Sequence, residues 1–441
     1  MQSFKNIHLG SSSIVLTNVP NLERPGRIKL KIDNANQDVQ DEIVAWGSNN
    51  LYPQDFYNKK FLRNGAAVGG INLLKSTHYG NGFEIYKKVK DGKGEIVLRE
   101  QLLADFPEIK KFIRDNRLGR FWYERITDQS LFHIAFTSHE ISANGNQIVR
   151  VKRLKAAHCR FSVQNKDGFV EYVYINSDWS NNDNSNTVKI PYMDSDMTAE
   201  EIKEYCREKK IFNFCTSTCY PLVDESYYPK ADWHAVERNG WIDVANSVPE
   251  LKQALFENQM HFKYIVYVSD YYFESYYKDE WDDFDSNKRQ DMREKLAAAI
   301  DEHMSGNKSA GRSLTSPIFD EGGKFVKGIE ISPVDNKLKD GSYLPDASAA
   351  NSEILFAIGV NPAIIGAGTP GGSNLSGSGS DIREGYTVLS ASLVPRRVMT
   401  LEDWELWRDF NGWDEDLIGA FPSVNLTTLD KNPDGQEEIV N

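Results

Sequence analysis

The hydrophobic positions of this chain change period along its length, and each change marks an element. Residues 1–50 carry only short strand-like runs, IVL at 14–16 and RIKLKI at 27–32. The segment WGSNNLYP (46–53) is dense in turn formers; Asn50 is placed to cap a helix, and Pro53 suits a first helical turn. From there to about Ser76, the residues Phe56, Phe61, Val68, Ile71 and Leu74 predict a helix with one buried stripe. Gly80-Asn81-Gly82 ends it, and FEIYKKV predicts a strand. Helical spacing returns over about 99–117 and 120–136, the second with Trp122, Ile126, Gln129 and His133 in step. Alternation then takes over in EISAN-GNQ-IVRVKRLK and CRFSVQ-NKDG-FVEYVYI, where Asn144-Gly145 and Asp167-Gly168 predict hairpin turns. Residues 176–200 are rich in Asn, Asp and Ser and read as an exposed excursion.

In the second half, Trp241, Val244, Val248, Leu251 and Leu255 step by three and four along one helix face. Pro249 lies within that stretch and removes a backbone donor, which predicts a kink or a restart. HFKYIVYV (261–268) predicts a strand, and the aromatic-acidic run YYFESYYKDEWDDF follows it. Met292, Leu296 and Ile300 predict a helix over about 286–304, stopped by Gly306. PIFDE and FVKGIEI flank Gly322-Gly323 as a hairpin, and a helix is expected from about Pro345 to Ile358. Residues 366–380, GAGTPGGSNLSGSGS, hold six Gly and four Ser and no charge. A last helical region opens at Asp381, which has capping-box spacing to Glu384. Pro395 divides that region, and Trp404, Trp407 and Phe410 give its second half an aromatic face. The tail after about Lys431 is acidic and expected to fray.

A length of 441 residues exceeds one ordinary core and implies two or three packed modules. The aromatic share of 12% points to large buried or interfacial surfaces. A net charge of −13 argues against tight wrapping of nucleic acid, which needs a basic face to displace counterions. A channel through which DNA slides is a different case, because there a neutral or repulsive wall favours movement. The chain has no apolar run near the roughly 18 residues that cross a bilayer. The start MQSFKNIHLGSSSIVL lacks the basic-then-apolar form of a secretory signal, so a reducing cytoplasm is expected. Cys159, Cys206, Cys215 and Cys219 are then ordinary buried or half-buried thiols.

Catalytic patterns are absent from the sequence. A phosphate loop needs a following helix that usually opens with Lys then Ser or Thr; no Lys follows the Gly-rich stretch and no βαβ unit surrounds it. His133 and His139 stand six apart, off one helix face, and His158 precedes Cys159 in a strand. No two-His-one-carboxylate set and no nucleophile elbow occurs. Pairs such as Asp282-Asp283 and Asp301-Glu302 read as solvated charge. No enzyme activity, metal or cofactor is expected.

Three stretches, in order, resemble the portal proteins of tailed bacteriophages. WGSNNLYPQDF followed by a helix and HYGNGFEI resembles the opening of portals from prophages of the Bacteroides group. DQSLFHIAFTSHEISANGNQIVRVKRLKAAHCRFSV resembles the portal wing. ILFAIGVNPAIIGAGTPGGSNLSGSGSDIRE resembles the portal stretch in which a helix, a Pro-containing turn, a flexible loop and a further helix succeed one another. The resemblance covers about two thirds of the chain and rests on order and spacing.

The resemblance implies an α+β portal fold: a mixed wing, a helical stem, a short clip and a small C-terminal helical region. It assigns 1–232 to the wing, 233–260 and 286–304 to stem helices, and 261–285 to the clip. Residues 305–400 return to the wing with a tunnel loop at 366–380, and 401–441 form a small crown or tail. In the loop, Gly366, Gly368, Gly371, Gly372, Ser373, Asn374, Ser376, Gly377, Ser378 and Gly379 would face the channel. In the clip, Tyr271, Tyr272, Phe273, Tyr276, Tyr277 and Trp281 would dock a partner. The implied partners are further copies of the chain in a dodecameric ring, double-stranded viral DNA in transit, terminase, major capsid protein or scaffold, and neck or adaptor proteins. No membrane is implied; the expected location is the capsid vertex of a virion, with the host cytoplasm during assembly. The alternatives are another head-tail connector or adaptor, or a nucleotide-binding enzyme built on the Gly-rich loop.

Overall fold

The computed structural model describes residues 5–9, 12–16, 39–40, 42–90, 96–180, 186–221, 223, 226–259, 264–305, 318–333, 344–365, 379–424 and 426. The run at 27–32, residues 366–378 of the Gly-rich stretch, Gly306 and the tail after Lys431 lie outside them. The architecture is α+β, as expected. The chain divides into a larger unit, residues 1–246 with 345–441, and a smaller one, residues 247–344.

The larger unit begins with a paired turn of strands, Lys5–Leu9 against Ser12–Leu16. The helix expected from Pro53 to Ser76 is two pieces. A short turn at Tyr52–Asp55 runs into a wider-wound stretch at Phe56–Phe61, and α1 (Gly65–Tyr79) starts afresh. The restart is made by Asn64, whose side chain accepts a hydrogen bond from the Ala67 N–H at 2.8 Å. Asn50 does not cap a helix. It takes a left-handed backbone (φ 54°) and accepts hydrogen bonds from Trp46 N–H and the Arg160 guanidinium. Arg160 is thereby held in the interior, between the rings of Trp46 and Trp179 at 5.6 and 5.1 Å.

Gly80 terminates α1 with φ 56°. A Cβ there would lie 2.0 Å from the Pro422 carbonyl oxygen, so no side chain fits. β1 (Glu84–Lys90) follows as predicted, but the expected helix from residue 99 yields first to β2 (Ile96–Glu100); α2 occupies Pro107–Asp115. α3 (Leu118–Phe132) ends at His133, left-handed at φ 58°, so His133 caps the helix and does not continue its stripe.

β3 (Ile134–Ile141) and β4 (Ile148–Leu154) form the predicted hairpin across Asn144-Gly145. β5 (Cys159–Phe161) and β6 (Tyr172–Ile175) form the second across Asp167-Gly168. The stretch read as an exposed excursion contains β7 (Val188–Pro191), which pairs with β6, and the buried Trp179. α4 (Ala199–Lys209) opens with a Thr198–Glu201 capping box. β8 (Asn213–Cys219) completes a sheet of order β8-β3-β4.

α5 (Trp241–Gln259) runs on past Pro249 as one helix, without the expected restart. In the smaller unit, β9 (Tyr264–Val268) leads to α6 (Asp270–Tyr277), α7 (Glu280–Asp283) and α8 (Ser286–Ser305). The predicted hairpin at Gly322-Gly323 joins β10 (Ile318–Glu321) to β11 (Lys324–Lys327). β12 (Ile329–Pro333) pairs instead with β9.

The chain re-enters the larger unit through α9 (Leu344–Ile358) and a short turn of helix at Pro362–Ile365. Then come α10 (Gly379–Ser392), α11 (Val394–Thr400, opened by Pro395) and α12 (Glu402–Asn411). α10 begins at Gly379, two residues before the expected cap, so Asp381 lies inside its first turn. β13 (Leu417–Ala420) pairs with β1, giving the order β13-β1-β2.

Among the described residues, two large hydrophobic clusters and a small third one around Ile43, Tyr174 and Trp179 fill the larger unit. Of the two large clusters, one centres on Trp46, Phe56, Phe132, Phe161 and Trp233, the other on Trp122, Phe214, Trp404, Trp407 and Phe410. The aromatic face expected on the last helix thus forms a core. Through the second cluster runs a buried polar chain. Trp407 Nε1–H donates to His139 Nδ1 at 3.1 Å, which leaves the proton of the neutral ring on Nε2, facing the Thr216 hydroxyl at 2.8 Å. Thr216 and Thr137 donate to Asp403, and Arg125 Nη1 meets Asp403 Oδ2 at 3.0 Å.

Candidate functional site

The aromatic-acidic run of the smaller unit is sorted by its short helices. A helix of eight residues cannot bury every side of a sequence as aromatic as DYYFESYY, so its rings divide between inside and outside. Phe273 and Trp281 are buried and stack at 4.8 Å with their planes 11° apart. Tyr277 stacks on the same indole at 5.9 Å and donates its hydroxyl to Met292 Sδ at 3.3 Å. α8 closes over the group: the Arg289 and Arg293 guanidinium carbons stand 5.4 and 5.9 Å from the Trp281 ring. Lys278, left-handed at φ 51°, turns the chain from α6 to α7 so that Trp281 can return to Phe273.

Of the six residues expected to dock a partner, Phe273 and Trp281 therefore build the unit's interior. Tyr272 and Tyr277 are half-buried, and Tyr271 and Tyr276 are exposed, Tyr276 by 71%. Around them stand Asp270, Glu274, Asp279, Glu280, Asp282, Asp283 and Asp285, all exposed. Asp270 is bound by Arg293 at 2.8 Å and Asp282 approaches Arg289 at 3.8 Å; Lys278 is the one base within 270–285. Sequence reasoning passed over further apolar side chains that the unit presents to solvent: Ile265, Tyr267, Ile318 and, 81% exposed at the hairpin, Phe325. Lysines on both sides of FV made β11 read as a plain polar-edged strand. The readable signal is that a two-stranded hairpin has no second layer to cover its aromatic.

Trp281 is the residue whose loss this unit tolerates least. Among the described residues it shares the buried apolar interior with only Phe273, Ile300 and Ile329. Trp281→Ala is expected to cost about 3–5 kcal/mol of local stability. Hydrogen exchange of the amides in α6–α8 should quicken at least about 100-fold while α1 and α3 keep their protection.

The Gly-rich stretch is bracketed by helix on both sides, Pro362–Ile365 before it and α10 after it. Gly379 is the first residue of α10, and the other nine loop residues named above lie outside the described residues. A nucleotide loop follows a strand; a helix precedes this one.

The remaining titratable groups are tuned by burial. Burial pushes the Cys206 thiol up to about 11 and the Cys219 thiol up to about 12, and raises Cys159 and Cys215 as well, which suppresses thiolate chemistry. Among the described residues, no group of three or more His, Cys, Asp or Glu side chains is placed to hold a metal, and no helix is long and apolar enough to cross a membrane.

No family model and no curated relative matches the chain. Solved structures do share its fold. A chain in the virion of a native gene transfer agent particle superposes with a TM-score of 0.55 at 14% identity, over 88% of this chain and 86% of that one. A chain in the neck of an empty gene transfer agent particle, computed with C6 symmetry, gives 0.56 at 14% identity over 85% of each. One in the neck of a native particle, computed with C12 symmetry, gives 0.55 at 13% identity over 86% and 85%.

Proposed function

We propose that this chain is a structural subunit of the head-to-tail connection of a phage-like particle, and specifically its portal protein. In this reading copies form a closed ring at one capsid vertex, and double-stranded DNA passes through its centre during packaging and ejection. The observation that carries the reading is the fold shared with chains of gene transfer agent virions and necks over most of both chains. The order of portal-like segments in the sequence supports it independently. So does the smaller unit, whose described residues expose Ile265, Tyr267, Ile318 and Phe325 while burying four apolar side chains; such a surface suits an assembly better than a lone subunit.

Within this reading the acidic, tyrosine-bearing surface of α6–α7 docks the packaging motor and later the neck proteins, with Tyr271 and Tyr276 as its contacts and basic groups on the partner. Residues 366–380 act as the tunnel loop, uncharged so that DNA touches it without being held. Catalysis has no part in the role.

Light scattering after gel filtration tests the reading. Purified full-length chain should elute at many times its 50.1 kDa mass and show rings with a central pore in negative stain. A monomer at every salt and protein concentration overturns it.

A further inference from the structure

α10 and α11 carry a second apolar face, exposed among the described residues of the larger unit. Leu393 joins them in the right-handed helical region (φ −86°, ψ −8°), which carries the helical turn from one into the other. At about 100° per residue the buried side chains Leu389, Ser390, Leu393, Arg397 and Thr400 fall within one arc roughly 100° wide, the face set into the core. Val388, Ala391, Val394, Pro395 and Val398 fall on a different arc of about 120°, and all five are exposed, Val388 by 68% and Val398 by 63%. Glu384 and Glu402 lie in line with that arc at its two ends.

The charges between these glutamates are turned away from the stripe. Arg397 is buried, donating to the backbone carbonyls of Thr77 and His78, and Arg396 packs over the Tyr220 ring at 5.4 Å. A helix that already buries one face needs no valines on the other for its own stability. Three of them, with Ala391 and Pro395 and no charge for over three turns, make a contiguous apolar strip of the kind that another surface covers.

We propose that this strip, Val388 to Val398, is an interface between copies of the chain. The inference rests on the ring reading above and deepens it. Chains of the same fold occur in necks computed with C6 and C12 symmetry, and in a cyclic assembly each subunit must present one patch that meets a different patch of the next copy. The strip suits the inner part of such a contact: rigid, uncharged at its middle, with Glu384 and Glu402 left at the rim. The occupant is a second copy of this chain.

Two measurements on the full-length chain decide it. V388E/V398E places two charges on an exposed face, so the thermal transition of the subunit should stay within a few degrees of the native one. Its assembly should weaken at least 100-fold, read as the protein concentration at which the light-scattering mass falls to that of one chain. Separately, benzoylphenylalanine installed at Val398 should give covalent chain-to-chain products on illumination. Native-like assembly by V388E/V398E, or benzoylphenylalanine products that contain only other particle proteins, overturns the interface while native rings leave the ring reading standing. A native chain that never assembles overturns both.

Discussion

Asp403→Ala should destabilise the larger unit by about 3–5 kcal/mol, because it strands the Arg125 guanidinium in the interior. Arg125 is fully buried, Asp403 is 3% exposed, and their contact joins α3 to α12 across 277 intervening residues. The carboxylate also takes hydrogen bonds from Thr137 and Thr216, so its removal leaves two hydroxyls short of an acceptor. Desolvating both ions offsets most of their attraction, so the pair need not stabilise the fold relative to an apolar pair of the same size. Arg125→Met/Asp403→Leu is therefore expected to cost less than Asp403→Ala alone. Chemical denaturation of the two variants tests this, and a double variant that loses as much stability as Asp403→Ala would contradict it.

Acid should destabilise the chain already above the pH at which ordinary carboxylates titrate. Four histidines are buried as neutral rings. Burial, assisted by Arg397, Arg396 and Arg125, lowers His78 to about 3, and burial beside Arg396 lowers His133 to about 4 despite nearby Asp232. Burial lowers His139 to about 4 against the opposing pull of Asp403, and burial with His133 and Arg238 lowers His234 to about 3. In the unfolded chain each takes a proton near pH 6.5. Between that pH and the folded values the unfolded state binds more protons, so stability is complete above about pH 6.5 and falls as the pH drops toward 4. Asp128 and Glu402, both raised by burial, act in the opposite sense but are two groups against four. From pH 7 to pH 5 the four rings together remove on the order of 7 kcal/mol as an upper bound. The melting temperature should fall by more than about 10 °C over that interval. His78→Gln/His234→Gln should flatten the profile, and a melting temperature that does not change between pH 7 and pH 5 would refute the account.

The elements most legible in the sequence were those with a strong local signal. The hairpins β3–β4 and β5–β6 announced themselves through Asn144-Gly145 and Asp167-Gly168, and α8 through Met292, Leu296 and Ile300. What escaped was set by pairing rather than by local pattern. β13 is a strand because it pairs with β1 from far along the chain, and β2 and β7 are strands because β1 and β6 lie beside them. Asn50 looked like a cap because caps are chosen locally, whereas its actual role is fixed by Arg160, 110 residues away. At the candidate site the aromatic density was visible, but not its sorting. Only the turn at Lys278 decides that Trp281 folds inward while Tyr276 remains outside.

The pairing of β13 with β1 has a consequence for biosynthesis. The larger unit is interrupted by residues 247–344, and its sheet lacks a strand until Leu417–Ala420 has left the ribosome. The smaller unit, by contrast, is contiguous and emerges whole beforehand. At about 5–20 residues per second, the stretch from Pro345 to Ala420 takes roughly 4–15 s to synthesise. For that time β1 has an open edge and the Trp122 cluster lacks Trp404, Trp407 and Phe410. A nascent chain in this condition is a natural client for a chaperone, and a message broken ahead of the codons for Trp404 to Ala420 would yield a product that cannot close its own core.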